Sequence, residues 1–327
     1  MKMKRITMAL AAAVLALPAA TRAQSGGTDP CMEPGSDPNC EFTARAFRAA
    51  YAQTGILAAG GNPVPGVEST RGITLGLIPK TTASLRVSVA SQRLPDLNEG
   101  PVADEERTAT ATAIRLGTAT RLFEGVSAGP VSGVGAIDLL LDAAYLPAAG
   151  QSRNGAAAFG AGARIGIVRE TFGTPGVALS VMYRRVGKQT YGSLCPIADV
   201  QCEDPGYGEA EFAVNDVGGR LTVGKRLGPI GLLGGVGVDR FSTSGGEIRF
   251  FPAVLEPGRA ELPIRRHDRR FSFFANLSYA LVVGSLVAEG GWMEGGEPNV
   301  VFEDGDNGTY EAGKGTPFGS LALRISL

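Results

Sequence analysis

From about residue 53 to residue 327 the chain repeats one unit, a stretch in which apolar residues alternate with small or polar ones, followed by a turn. One alternating set is almost free of charge and the other carries the charges, so each stretch separates two different environments. The last segment shows this plainly, with Leu321, Leu323, Ile325 and Leu327 on one face and Ala322, Arg324 and Ser326 on the other. Successive strand residues point to opposite faces, so this period of two is that of a β-strand.

Between turn signals, the alternation predicts strands at 53–60, 70–78, 83–92, 107–122, 131–145, 155–169, 176–188, 209–227, 229–244, 269–281, 284–295 and 316–327. Ten residues rise roughly 25 Å when tilted near 40°, the height of a membrane's apolar band. Strands of soluble β-proteins are shorter, about 5 to 6 residues. The fold class expected is therefore an all-β, transmembrane, antiparallel up-and-down barrel of about 12 strands (10–14) with a short N-terminal helix. Connections also alternate in length. Glu170 to Pro175 and Gly228-Pro229 are short, whereas Gln189 to Gly208, Ser244 to Asp268 and Gly296 to Gly315 are long. With the last strand ending at the periplasmic rim, every long loop falls outside.

Three regions are expected: a signal peptide at 1–23, a periplasmic tether and short helix at 24–52, and a barrel at 53–327. Lys2, Lys4 and Arg5 precede an apolar run from Met8 to Ala20 and a small-x-small site ending at Ala23, the pattern of a cleavable secretory signal. No Cys follows the run at the cleavage point, so no lipid anchor is expected. Beyond it, the longest nearly uncharged apolar stretch, Tyr279 to Ala288, is far short of the roughly 20 residues a membrane-crossing helix needs. A net charge of −1 and 44% hydrophobic residues argue against nucleic-acid binding and against disorder. Cys31 with Cys40 and Cys195 with Cys202 form two local pairs in turn-rich segments, which reads as two disulfides in an exported chain, with zinc as the rival. Glu41 to Ala52 carries helical spacing, with Phe42 and Ala46, and Phe47 and Tyr51, four apart; it is either a periplasmic helix or a plug that brings Arg45 and Arg48 into the barrel.

The outward set includes Leu85, Val87, Val89, Ile114, Leu116, Ile137, Leu139, Leu141, Ile165, Leu179, Val181, Val223, Leu232, Val236, Phe273, Leu277 and Leu286, with Tyr145, Tyr183, Phe271 and Trp292 near strand ends where aromatic girdles sit. The inward, lumen-lining set is Arg86, Arg115, Arg121, Asp138, Asp142, Arg164, Arg184, Glu211, Arg220, Arg226, Asp239, Glu289 and Arg324, with a parity shift expected at a bulge around Asn215-Asp216. Two readings compete for these charges. One is an ion-pair network that seals the barrel, with Arg115 and Arg121 beside Asp138 and Asp142 on the next strand. The other is a narrow water path whose surplus arginine favours anions.

Other motifs carry less. Arg265, Arg266, Arg269 and Arg270 suit contact with the phosphates of membrane lipid. The lone His267 between Arg266 and Asp268 loosely resembles the Asp and His pairing of outer-membrane proteases, but neighbours on a strand point to opposite faces, and no catalytic residue is assigned. Asp304 to Gly308 alternates carboxylates like a calcium loop without the full motif and reads as a hairpin loop, so no metal site is assigned. The glycines Gly231, Gly234, Gly235 and Gly237 lie in a predicted strand with no βαβ unit around them and are not a nucleotide site; no cofactor is expected.

In signal, strand period and loop alternation the chain resembles the bacterial outer-membrane β-barrel proteins of Gram-negative type, over about 53–327 plus the signal. It departs from their usual terminal aromatic, having Leu327. The resemblance implies residence in the outer membrane, with its lipid and lipopolysaccharide and the barrel assembly machinery as partners. The function expected is a narrow passive channel for small solutes or ions with mild anion preference; the alternative is a non-conducting structural or surface-binding barrel acting through its long extracellular loops.

Overall fold

The computed structural model describes residues 26–28, 31, 35–67, 80–95, 97, 106–128, 131–195, 206–252, 259–294, 301–304, 308–311 and 315–326. Ten antiparallel strands form the wall: β1 (Thr81–Pro95), β2 (Glu106–Phe123), β3 (Ala136–Leu146), β4 (Ala156–Val168), β5 (Gly176–Cys195), β6 (Gly206–Leu227), β7 (Ile230–Thr243), β8 (Ala260–Ala280), β9 (Ser285–Met293) and β10 (Thr316–Ser326). Each pairs with its neighbours in sequence, and β10 pairs with β1 in register Leu321 with Val87, which closes the barrel and leaves no free edge. One further short strand, Gly246–Phe250, continues the line of β7 beyond its end and bridges β6 and β8.

Ten of the twelve expected segments are these strands, so the count lies at the low end of the expected range. The segment 53–60 is a correction. Gln53 to Ala59 belongs to α1 (Pro38–Ala59), the one helix among the described residues, and the described wall begins at Thr81 rather than at residue 53. Gly55, Ala58, Ala59 and Gly60 are small and buried on every side, so no period in polarity marks them, and alanine is the strongest helix former. The expected strand 70–78 and the signal segment 1–23 lie outside the described residues. The expected strand 131–145 is divided at Gly135 (φ 74°), its first part, Val131–Val134, pairing back on Val126–Ala128 as a small hairpin at the short-turn rim.

The belt follows from alternation. Leu116 (62% exposed), Leu141 (49%), Val181 (50%) and Leu277 (54%) face outward, while Leu140, Ser180, Asn276 and Ser278 between or beside them are buried. Tyr145, Tyr183 and Trp292 border this belt toward the long loops. The shortest wall strand, β9, has 9 residues, enough to cross an apolar band, whereas β5, β6 and β8 have 20 to 22 and rise as an extended sheet at the long-loop rim. At the opposite rim Lys80 donates to Glu124 at 3.1 Å, and this hydrogen bond holds the Glu124 carboxyl below the usual carboxylate range.

A charge placed in the belt tests this orientation. Leu141→Arg should cost about 2 to 4 kcal/mol in unfolding from lipid vesicles, while Leu141→Ala should cost far less; equal costs would mean Leu141 does not face lipid.

Candidate functional site: an occupied lumen

The helix is built to start sharply and to end on something else. Asp37 caps its N-terminus, its carboxylate accepting from the backbone N–H of Asn39 at 2.9 Å and of Cys40 at 3.4 Å, with Pro38 opening the first turn and Glu41 within it. A disulfide joins Cys31 to Cys40, with Cα atoms 5.3 Å apart. The last turn holds no basic residue, and Gly60 (φ 23°) breaks it. Because a helix ends with unpaired carbonyls and partial negative charge, cations must come from elsewhere.

They come from the wall. Arg115 donates to the carbonyls of Leu57 and Ala58 at 2.9 and 2.5 Å, and Arg184 to that of Ala59 at 3.3 Å. Beyond the helix the segment Gly60 to Val67, GGNPVPGV, continues along the lumen. Arg86 donates to the carbonyls of Gly60 (3.0 Å) and Asn62, Arg220 to Gly61 at 3.1 Å, and Arg324 to Pro65 and Val67 at 2.8 and 3.0 Å. Glu289 accepts from the Asn62 N–H at 2.9 Å and from Asn276 Nδ2 at 2.8 Å. Five arginines from five of the ten wall strands, β1, β2, β5, β6 and β10, thus converge on one peptide segment.

The same arginines are neutralised laterally. Asp142 lies 2.8 Å from Arg184 and 3.7 Å from Arg115; Asp216 lies 3.5 Å from Arg184; Asp239 is 2.8 Å from Arg220; Glu289 is 3.8 Å from Arg86. Toward the short-turn rim Asp138 holds Arg121 at 2.7 Å and Arg164 at 3.8 Å. Buried charges in a narrow lumen need such pairing, since desolvating each costs several kcal/mol.

The walls leave room for this insert by using small residues. Ala90, Ala113, Ala144, Ala158 and Ala210 pack with Ala46, Ala49, Ala50 and Ala58 of the helix, and Phe212 meets Phe47 edge to face at 5.3 Å. Glycines of β7 act likewise: a Cβ at Gly231 would strike Val67, and one at Gly237 would meet Arg220 Nε at 2.7 Å. A helix is about 10–12 Å across with its side chains, and an eight-stranded barrel is already filled by its own, so ten strands lined with Ala and Gly accept one Ala-rich helix. The cavities described within the lumen are small, about 20 Å³ beside Thr82, Arg121, Asp138 and Arg324 and about 30 Å³ beside Gln53, Leu57, Gln189 and Phe212. Each is the size of about one water molecule.

Of the residues assigned to the lumen, Arg86, Arg115, Asp138, Arg164, Arg184, Arg220, Asp239, Glu289 and Arg324 are buried there, and Arg121 and Asp142 are turned inward with them. Arg226 lies at the short-turn rim, its N–H donating to Glu170 at 2.6 Å. Glu211 is a correction: it stands on the outer face and pairs with Lys188 at 2.5 Å, Lys188 being 68% exposed. Burial in β6 falls on even positions from Tyr207's neighbours to Gly224 without a break, and the parity shift lies in β5, between Val186 and Gln189, rather than at Asn215-Asp216. Asp216, Asp268 and Asn276, all inward, were missed; continuing the even parity of β6 and β8 would have found them.

The arginine run of β8 also divides by parity. Arg265 and Arg269 point outward, whereas Arg270 (3% exposed) lies inside on Asp268 at 2.8 Å and Arg266 is half-buried on the inner side, so Arg270 is not a lipid contact. His267 is exposed outward, on the face opposite Asp268. Asp304 pairs through its backbone with Gly308 in a two-stranded hairpin, and residues 305–307 lie outside the described ones. Cys195 is disulfide-bonded; Cys202 lies outside the described residues.

The described part of the expected tether does not hang below the barrel. Gly26–Thr28 pairs with Arg265–His267 on β8, and Asn39 Nδ2 donates to the Phe251 carbonyl at 2.8 Å, both at the long-loop rim. The chain then descends through α1 to Val67, which lies against Gly224 and Gly231 near the short turns.

A closed antiparallel barrel with an uncharged apolar belt outside and charges inside is a β-barrel of the outer-membrane type. No known family's sequence pattern matches the chain, and neither does any curated protein. Among solved structures it is similar to the translocator domain of the autotransporter NalP from Neisseria meningitidis, at 12% identity over 77% of this chain and 90% of that one (TM-score 0.38). It is also similar to the transport unit of the autotransporter AIDA-I from Escherichia coli, at 9% identity over 86% and 99% (TM-score 0.38). A third is an outer-membrane channel from Pseudomonas putida F1, at 8% identity over 80% and 100% (TM-score 0.36). The assignment of class rests on this chain's own register and burial.

Gly61 (φ 53°) sits so close to Glu289 that a Cβ would collide with the carboxylate. Gly61→Ala should therefore unseat residues 60–67 without unfolding the wall, seen as a rise of about ten-fold or more in amide exchange at Asn62 and Gly66 with heat-modifiable mobility retained; unchanged exchange would mean the segment is not held by this contact.

Proposed function

We propose that this protein is an outer-membrane barrel held shut by its own N-terminal segment, and that solutes or ions pass only when that segment withdraws. The observation that carries the reading is the convergence of Arg86, Arg115, Arg184, Arg220 and Arg324 on the carbonyls of residues 57–67. Hydrogen bonds from charged donors contribute about 1.5 to 3 kcal/mol each, so withdrawal is a cooperative event that needs a driving partner or force. The passive channel is retained in altered form: emptying the lumen would expose the arginines and leave a path that favours anions. With the short turns in the periplasm, the segment enters from the outer face and runs inward.

The second reading, a surface-binding barrel, is favoured by the tall sheet of β5, β6, β8 and Gly246–Phe250. It stands clear of the belt and is rigidified by Arg249, which holds Glu209 at 2.7 Å and Glu247 at 2.6 Å.

The two separate in a planar bilayer. The full mature protein should be silent or nearly so, and a variant lacking residues 38–67 should give discrete steps favouring anions, an anion preference that Arg115→Glu in the same background should reduce or reverse. Steady conductance from the full protein would overturn the plugged reading, and silence from the folded truncation would move the function to the outer sheet.

A further inference from the structure

On the outer wall, just where the apolar belt ends toward the long loops, the register stacks basic residues that make no ion pair among the described residues. Tyr183, Val217, Arg240 and Arg269 are successive partners across β5, β6, β7 and β8, and Arg185, Asn215, Ser242 and His267 are successive partners one rung higher. All eight side chains share the outward parity. Arg185, Arg240 and His267 are exposed and Arg269 is half-buried, its guanidinium 5.4 Å from the ring centre of Phe271. Arg240 and Arg269 stand directly opposite each other, an arrangement of like charges that destabilises a sheet unless an anion lies between them.

Carboxylates are close by but otherwise engaged or displaced. Glu211 is held by Lys188 and Glu209 by Arg249, both farther up the sheet. Glu294 follows the end of β9 near Phe271, and no ion pair joins it to Arg269. Directly below the two rungs the wall turns apolar, with Val181, Val238 and Phe271. The Tyr183 hydroxyl, at the border, donates to Asn215 Oδ1 at 3.3 Å.

We infer that this patch, formed by Arg185, Arg240 and Arg269 with Asn215, Ser242 and His267, binds the phosphorylated headgroup of an anionic membrane lipid, whose acyl chains lie on the belt beneath. Guanidinium forks match phosphate oxygens in geometry, the two rungs offer hydroxyl and amide partners as well, and the apolar wall below fits a lipid better than a free anion. The inference rests on the barrel's crossing a membrane but not on whether its lumen conducts. It replaces the inward Arg270 of the sequence-level grouping with Arg185 and Arg240, brought in from two other strands.

The test uses the full mature protein refolded in detergent, read by native mass spectrometry and by tryptophan-independent equilibrium binding. The probes are bis-phosphorylated lipid A, the same lipid stripped of its phosphates, and inorganic phosphate. Retention of the bis-phosphorylated lipid should exceed that of the stripped lipid by about ten-fold or more, as charge-assisted contacts imply. That margin should vanish in R185Q/R240Q/R269Q, whose heat-modifiable mobility reports the folded wall, and should persist in K188Q. Equal retention of both lipids, or a margin unchanged in the triple variant, would overturn the inference, as would full displacement by millimolar inorganic phosphate, which would make the patch a simple anion site. Conductance of the same preparation reports separately on the plugged lumen.

Discussion

The structure depends on one interaction, the hydrogen bonding of wall arginines to the backbone carbonyls of a strand that has no backbone partner of its own. Pro63 and Pro65 lack N–H groups, and the segment GGNPVPGV forms neither helix nor ladder, so its carbonyls would be orphaned inside the barrel. Orphaned carbonyls and buried guanidiniums are each costly alone. Set together, with Asp142, Asp239 and Glu289 balancing the charge, each offsets part of the other's penalty.

From this follow the size and composition of the wall. A helix end and an extended segment must fit within reach of inward arginines from β1, β2, β5, β6 and β10, so many inward positions beside them are small, among them Ser88, Ala113, Ser180, Gly218 and Ala322. A wall of larger apolar residues would fill the lumen itself and leave the arginines no segment to hold. The Ala-rich helix, wholly buried from Ala49 to Ala59, is the complement of that wall. The two halves complete each other: Gln53 to Ala59 is buried on all sides by the wall, and the barrel without the segment would leave its lumen arginines without their carbonyl acceptors.

The wall was legible in the sequence because lipid on one side and charge on the other impose a contrast on every second residue. Leu139 and Leu141 against Asp138 and Asp142 illustrate it, and the register of β3 on β2 places them as the alternation implied. The plug was only half legible. Phe47 and Tyr51 marked a helix, but Gln53 to Ala59 meets protein on all sides, and where both faces see the same environment no period survives. Glu211 was misplaced for a related reason: parity identifies a face only until a bulge, and the bulge lay in β5, at Gly187-Lys188, where a lysine and a glycine give alternation nothing to lose. The acceptors of the arginines could not be read from side-chain type at all, being backbone carbonyls, although two prolines among three glycines in a segment between helix and strand did announce unpaired backbone.

The surplus of arginine that suggested an anion path has, in the occupied lumen, a different physical origin. The inward carboxylates sit beside guanidiniums, and five of the arginines donate further to backbone carbonyls, which carry only partial charge and so leave the ionic balance positive. A lumen selected to conduct anions would keep its arginines hydrated and spaced along a path, whereas here they are desolvated and clustered around 57–67. Under the proposed function, anion preference would belong to the emptied barrel and be created by the same residues that keep it filled. Any influence that draws out the segment must replace those donors' partners, and water or anions entering the lumen are the partners at hand.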